Sequence, residues 1–103
     1  MIRAGTASVD ITPIAGLHLA GFAARTTPAT GMHDLLTARA IVVEETAVVV
    51  LDVIGLHEDM SARIRQRSGL PEDNIIVAAT HTHGAPVSMK GRLGHAADPA
   101  FLQ

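Results

Sequence analysis

The chain contains no cysteine, no tryptophan and no tyrosine, and phenylalanine occurs only twice among its 103 residues. The absence of cysteine excludes disulfide bonds and metal sites built on thiolates. With so few aromatic side chains, the core must consist of valine, isoleucine, leucine and alanine. The formal net charge of −2 and the pI near 6.3 do not fit the basic surface of a nucleic-acid-binding domain, so we expect no nucleic-acid partner.

The chain also shows no obvious targeting or membrane segment. Its N-terminus lacks the apolar stretch of a signal peptide. The longest apolar run, residues 40–56, is interrupted by Glu44, Glu45 and Asp52, so no membrane span is predicted. A content of 48% hydrophobic and 17% charged residues is typical of a globular chain. We therefore expect one small domain in the cytoplasm.

The hydrophobic patterns predict an α/β fold. We expect a βαβ core with parallel strands, an added hairpin strand and a long N-terminal loop rich in glycine and proline, together forming part of a larger domain. The predicted strands are residues 3–11, 36–43, 47–54 and 74–80, and the predicted helix is 58–68. The strands 36–43 and 47–54 are almost continuously apolar, which predicts burial on both faces. Asp98 and Pro99 resemble the start of a helix that the sequence does not continue, so we expect a fragment or a docked terminus.

The most informative segment is the strand that ends in Thr80-His81-Thr82-His83. Side chains alternate along a strand, so His81 and His83 are expected to project to one side. Neutral imidazole is the commonest metal ligand, although a catalytic zinc ion usually has three protein ligands. A right-handed βαβ crossover also brings Asp52, at the tip of the preceding strand, to the same edge of the sheet.

Several charged residues allow two interpretations. Asp52 can orient a histidine, or it can cap the following helix. Asp10 is expected to form a turn. Arg39, within an apolar strand, is expected to form a structural ion pair or to face a substrate. Arg25, in the long loop, either holds an anionic substrate group or is simply exposed.

The motifs resemble the neutral/alkaline non-lysosomal ceramidase family, in its N-terminal portion. The similar pieces occur in the family's order along nearly the whole chain. They are AGTASVDITP at 4–13, LAGF at 19–22, GMHD with ARA between 31 and 40, LDVIGL at 51–56, and ATHTHGAP at 79–86.

The resemblance implies a zinc-dependent amidase that hydrolyses an N-acyl bond in a small-molecule amide. It implies that His81 is a zinc ligand, that His83 lies beside the metal and touches the substrate, and that His33 lies near the same site. We therefore predict His81, His83 and His33 as metal-site residues and His83 and Asp52 as catalytic residues. Because Gly84 and Ala85 replace the Ser-Gly that commonly follows H-T-H in the family, the substrate is left unspecified.

The family's remaining ligands and its catalytic serine lie outside these 103 residues, so the chain alone is expected to be inactive. Two other hypotheses stay open. The chain can be a non-catalytic α/β module that binds a ligand or a partner. Alternatively, it can form a homo-oligomer in which two copies each supply two histidines to one tetrahedral site.

Overall fold

The computed structural model describes residues 1–92 and 94–103. Four strands form one sheet in the order β1-β2-β3-β4. β1 pairs with β2 and β2 with β3 in antiparallel fashion, whereas β3 and β4 are parallel. The elements are β1 (Ala4–Asp10), β2 (Thr37–Val43), β3 (Thr46–Leu51), helix α1 (Glu58–Arg67), a short 3-10 turn (Glu72–Asn74) and β4 (Ile75–Ala79). The prediction of a mixed α/β fold with a hairpin and a parallel βαβ unit is confirmed at this level.

The two faces of the sheet differ in burial. In β4, Ile75 is 6% exposed whereas its neighbour Ile76 is 63% exposed. Ile41 and Val43 of β2 are exposed on the same face as Ile76, because the register places Ile41 opposite Val48 and Val48 opposite Ile76. The prediction that strands 36–43 and 47–54 are buried on both faces is therefore wrong for this chain. The reason is that α1 packs against β4 from one side and no other helix of the described residues covers the sheet.

A second packing centre lies beyond the strand ends. Ala20, Ile54 and Val87 are buried together. Segment 18–20 runs against segment 85–87 because the Ala20 amide donates to the Ala85 carbonyl at 3.0 Å and the Val87 amide to the His18 carbonyl at 3.1 Å. The glycine- and proline-rich loop is therefore fastened to the loop that follows β4.

The C-terminal segment docks on the helix. Asp98 accepts hydrogen bonds from the amides of Ala100 and Phe101 at 2.9 and 3.1 Å, as its predicted capping role requires. Leu102 is buried, and Arg63 of α1 donates to its carbonyl at 3.1 Å. Among the described residues no helix has the length and apolar character needed to cross a bilayer.

The β2–β3 hairpin contains a strained residue. Its two-residue turn places Glu44 at φ 52°, a left-handed conformation that costs a non-glycine residue roughly 1–2 kcal/mol. The Glu44 side chain accepts a hydrogen bond from the Arg3 amide at 2.6 Å, but the contact is exposed and offsets only part of this cost.

We expect Glu44→Gly to be neutral or to raise the free energy of unfolding by up to about 1 kcal/mol, because glycine relieves the left-handed strain. Glu45→Gly is the matched control, since Glu45 is not at positive φ. It should lower the free energy of unfolding by about 0.5–1 kcal/mol through added chain entropy. Urea denaturation of both variants measures the difference, and equal destabilisation by the two changes would contradict this account.

Candidate functional site

The parallel pairing of β3 and β4 continues past both assigned strands. Leu51 is opposite Ala79. Beyond that pair, the Thr80 amide donates to the Leu51 carbonyl and the Thr82 amide to the Val53 carbonyl, each at 3.0 Å. These bonds carry the T-H-T-H segment along the tip of β3 and bring it to the edge where Asp52 lies, as predicted.

The two histidine rings lie side by side. The ring centroids of His81 and His83 are 4.8 Å apart, and the ring planes meet at 78°. The expected pairing is therefore present, but the histidines lie in the loop beyond β4. His81 has φ 63°, a strained conformation for a residue with a side chain. Such outliers persist only where the surroundings fix them, and they cluster at functional sites.

A hydrogen bond fixes the tautomer of His81. Its Nδ1 lies 2.8 Å from the carbonyl oxygen of Ile54. A carbonyl oxygen can only accept, so Nδ1 carries the hydrogen and Nε2 of the neutral ring keeps a free lone pair. His81 is exposed at this edge. A histidine oriented by a backbone carbonyl in this way has the arrangement found in metal-ligating histidines.

The ring of His83 is held by packing. Phe22 lies edge-on to it, with ring centroids 4.9 Å apart. On another side the backbone of Gly21 is so close that a Cβ there would lie 2.5 Å from Nδ1 of His83. His83 is half-buried, and within residues 1–92 and 94–103 its ring nitrogens make no hydrogen bond to protein. Because Nδ1 lies against the backbone of Gly21, Nε2 is the ring nitrogen that remains available to a ligand.

Asp52 binds threonines and an arginine, and its oxygens are not directed at the histidines. It accepts hydrogen bonds from the amide and hydroxyl of Thr37 at 3.0 and 2.9 Å and from the Thr80 hydroxyl at 3.1 Å. The Thr80 hydroxyl in turn lies 2.6 Å from that of Thr82. Asp52 therefore holds the threonines that alternate with the two histidines. The helix-capping alternative is not found, because α1 begins after His57 and has no side-chain cap.

Arg39 forms the structural ion pair that was one of its two interpretations. Its Nη2 lies 3.2 Å from Oδ1 of Asp52, and the Arg39 side chain is 55% exposed. Burial raises the pKa of Asp52, but the hydrogen bonds from Thr37 and Thr80 and the charge of Arg39 outweigh it, so the net pKa is lowered. Asp52 is therefore a firmly ionised anchor.

The turn predicted at Asp10 is confirmed, since its Oδ1 accepts a hydrogen bond from the Thr12 amide at 2.8 Å.

His33 lies apart from the histidine pair. It lines a cavity of about 340 Å³ together with Thr82 and Gly84, which flank His83 in the sequence. The other lining residues are mainly apolar. Within the described ranges no three histidine or acidic side chains converge on a common point. The structure thus brings His81 and His83 together and places His33 on a neighbouring wall, because His33 belongs to the long loop.

Comparisons with known proteins identify relatives of this chain. No protein-family model matches the chain. Neutral ceramidase 3 of Arabidopsis thaliana is 33% identical over 94 residues, covering 80% of this chain and 13% of the relative. Neutral ceramidase of Drosophila melanogaster is 33% identical over 96 residues, covering 82% and 14%. The crystal structure of neutral ceramidase from Pseudomonas aeruginosa superposes with a TM-score of 0.71 at 28% identity, covering 84% of this chain and 16% of that one.

The chain is related to the neutral ceramidases. The resemblance seen in its motifs is thereby confirmed, and the chain spans 13% to 14% of the length of the curated relatives it matches.

Sequence reasoning placed the ceramidase-like histidines but missed what holds them. In the sequence, the LAGF piece at 19–22 indicates only a family similarity and no role. In the structure Gly21 and Phe22 form the surface on which the His83 ring rests. The available signal was a glycine next to an aromatic residue in a chain with only two aromatic residues.

Gly21→Ala is expected to displace His83, because the added Cβ would overlap the ring. Gly16→Ala is a close control, since Gly16 has φ 104° and Gly21 φ 102°, and no atom lies within 4 Å of a Cβ at Gly16. Both changes incur backbone strain of roughly 1–2 kcal/mol, and Gly21→Ala should cost about 1 kcal/mol more. Denaturation curves and the NMR resonances of His83 check this. Unchanged His83 resonances in Gly21→Ala would refute the packing account.

Asp52→Asn should lower the free energy of unfolding at pH 7 by about 1–2 kcal/mol, because the charged acceptor of four hydrogen bonds from Thr37, Thr80 and Arg39 is weakened. The native pKa of Asp52 is depressed, so its contribution is present above the ordinary carboxyl value of 3.8 and is lost as the pH falls through the native pKa. The gap between wild type and Asp52→Asn should therefore close in acid. Exposed Asp73→Asn serves as the control, and a gap that stays constant from pH 7 to strongly acidic solution would contradict the anchor.

Proposed function

We propose that this chain supplies part of the active site of a zinc-dependent amidase that cleaves an N-acyl bond. His81 is the metal ligand and His83 is its neighbour on the substrate side. The observation that carries the proposal is the Ile54 carbonyl bound to Nδ1 of His81, which leaves Nε2 free on an exposed ring. The relatives' printed name, neutral ceramidase, supports an amide-linked substrate.

The residues present fit one part of a zinc site. Imidazole nitrogen is a regular zinc ligand, and His81 has its second nitrogen fixed by a carbonyl, as such ligands require. The described residues supply two adjacent imidazoles and no third convergent ligand, so this chain provides an incomplete coordination set. When bound, zinc would polarise the amide carbonyl and lower the pKa of a bound water molecule.

The chain's own residues would orient the groups of the site. The Ile54 carbonyl keeps His81 in one tautomer, and Phe22 with Gly21 confines the ring of His83. Nε2 of His83 can exchange a hydrogen bond with the amide of the substrate. The cavity beside His33 is lined largely by apolar side chains, which suits an apolar part of a small-molecule amide.

The test is zinc titration of the 103-residue chain, followed through the 15N resonances of its imidazoles. Zinc should shift Nε2 of His81 while the Nδ1 hydrogen bond to Ile54 persists. His81→Ala should weaken zinc binding by at least about tenfold, because it removes the proposed ligand. His57→Ala is the control, since His57 lies at the start of α1 and its ring has a different partner, Asp59, at 3.2 Å. Equal zinc affinity of His81→Ala and the wild type would contradict the proposal.

Stoichiometry distinguishes the remaining hypotheses. Half a zinc ion per chain together with a dimer on sizing would favour a site shared between two copies. No zinc uptake would favour a non-catalytic module that binds a ligand or a partner. The isolated chain is expected to be inactive as an amidase. Chelator-sensitive amide hydrolysis by the purified 103-residue chain would show that its site is complete.

A further inference from the structure

Arg25 makes contacts around His83 that neither the motifs nor the proposed zinc chemistry explain. Its Nη1 donates to the backbone carbonyl of His83 at 2.8 Å and lies 3.3 Å from the carbonyl of Ala20. Its guanidinium carbon lies 4.8 Å from the centroid of the Phe22 ring. One side chain thus contacts both the backbone of His83 and the aromatic ring that packs against the imidazole of His83.

We propose that Arg25 is a positioning residue that fixes the orientation of the His83 ring beside His81. The inference rests on the proposed function for its consequence, because His83 matters to chemistry only if the histidine pair forms a site. Its structural part, the ordering of the His83 ring by the guanidinium of Arg25, is independent of any metal.

In the part of the chain that the structure describes, the ring of His83 lacks a hydrogen bond that would orient it. Its ring nitrogens have no hydrogen-bond partner among the described residues, so the tautomer-fixing contact that holds His81 has no equivalent at His83. Its orientation must come from the backbone and from packing. Upstream, the Thr82 amide is bound to the Val53 carbonyl at 3.0 Å. Downstream, the bond from Arg25 holds the His83 carbonyl, so the backbone of His83 is held on both sides.

The ring is then confined by two surfaces that the same guanidinium supports. Phe22 is 56% exposed and has little packing of its own to keep it in place. A guanidinium over an aromatic face contributes about 0.5–1 kcal/mol at an exposed position, which favours the rotamer in which Phe22 meets His83. Because Arg25 also bonds to the carbonyl of Ala20, it fixes the turn through Gly21 that passes beneath the ring.

The contacts also bear on the other interpretation of Arg25, the capture of an anionic substrate group. Guanidinium has five N–H donors in a planar fork, and here Nη1 is directed at two carbonyl oxygens. A lysine has neither the fork nor the flat surface that stacks on Phe22. A positioning role therefore predicts that lysine replaces arginine only in part, whereas simple attraction of an anion predicts full replacement.

The experiment compares Arg25→Gln, Arg25→Lys and Arg63→Gln in the full 103-residue chain. Arg63 is the matched control because it also donates to a backbone carbonyl, that of Leu102, at 3.1 Å and on α1. The first readout is the nuclear Overhauser contact between the rings of His81 and His83 in metal-free protein. Arg25→Gln should lose this contact while the His81 Nδ1 hydrogen bond remains, Arg25→Lys should retain part of it, and Arg63→Gln should retain it fully.

The second readout is zinc affinity. Arg25→Gln should weaken zinc binding by about tenfold, the loss typical of removing a group that orients the immediate surroundings of a metal. If the wild type binds no zinc, the proposed function fails, and the ring contact alone decides whether Arg25 positions His83. If Arg25→Gln does not fold, Phe22→Leu replaces it, and loss of the ring contact there supports the same assembly. An unchanged contact in Arg25→Gln, or full recovery by lysine, would overturn the proposal.

Discussion

The parallel register between β3 and β4 is the constraint on which the candidate site depends. Backbone hydrogen bonds continue it, from the Thr80 amide to the Leu51 carbonyl and from the Thr82 amide to the Val53 carbonyl. The T-H-T-H segment therefore cannot shift along β3. A shift by one residue would remove both histidines from the contacts that hold their rings. The same register places the Ile54 carbonyl within reach of His81 and the Asp52 carboxylate within reach of Thr80.

The site is thus organised in two layers with different chemistry. On one side, Asp52 gathers hydrogen bonds from Thr37 and Thr80 and the charge of Arg39, which together keep it ionised. On the other side, the two imidazoles are aromatic groups held by a carbonyl and by packing. Placing the fixed negative charge behind the threonines leaves Nε2 of His81 and Nε2 of His83 free for a ligand. A carboxylate bonded directly to either ring would have occupied one of those nitrogens.

The sequence was sufficient to predict the strands and the helix, because these elements have a regular pattern of apolar residues. Alternating and apolar runs predicted the four strands, and the helix between β3 and β4 required these two strands to be parallel, which brought Asp52 and His81 to one edge. Burial was mispredicted because an apolar run does not state how many layers cover it, and Ile41 and Ile76 remain exposed. The surroundings of His83 were missed because Gly21, Phe22 and Arg25 lie in an irregular loop far from it in sequence, where no pattern indicates a contact.

The meeting of two irregular loops also explains how a strained residue is maintained. His81 has positive φ, and such a conformation persists only when several contacts enforce it. Here the flanking threonines are bound to the backbone of β3 and its extension, and the ring is bound to Ile54. Segment 18–20 then fastens segment 85–87 from outside, so the loop after the histidines cannot relax independently. The long glycine- and proline-rich loop therefore acts as a structural wall of the candidate site, because the positions of His81 and His83 depend on its attachment.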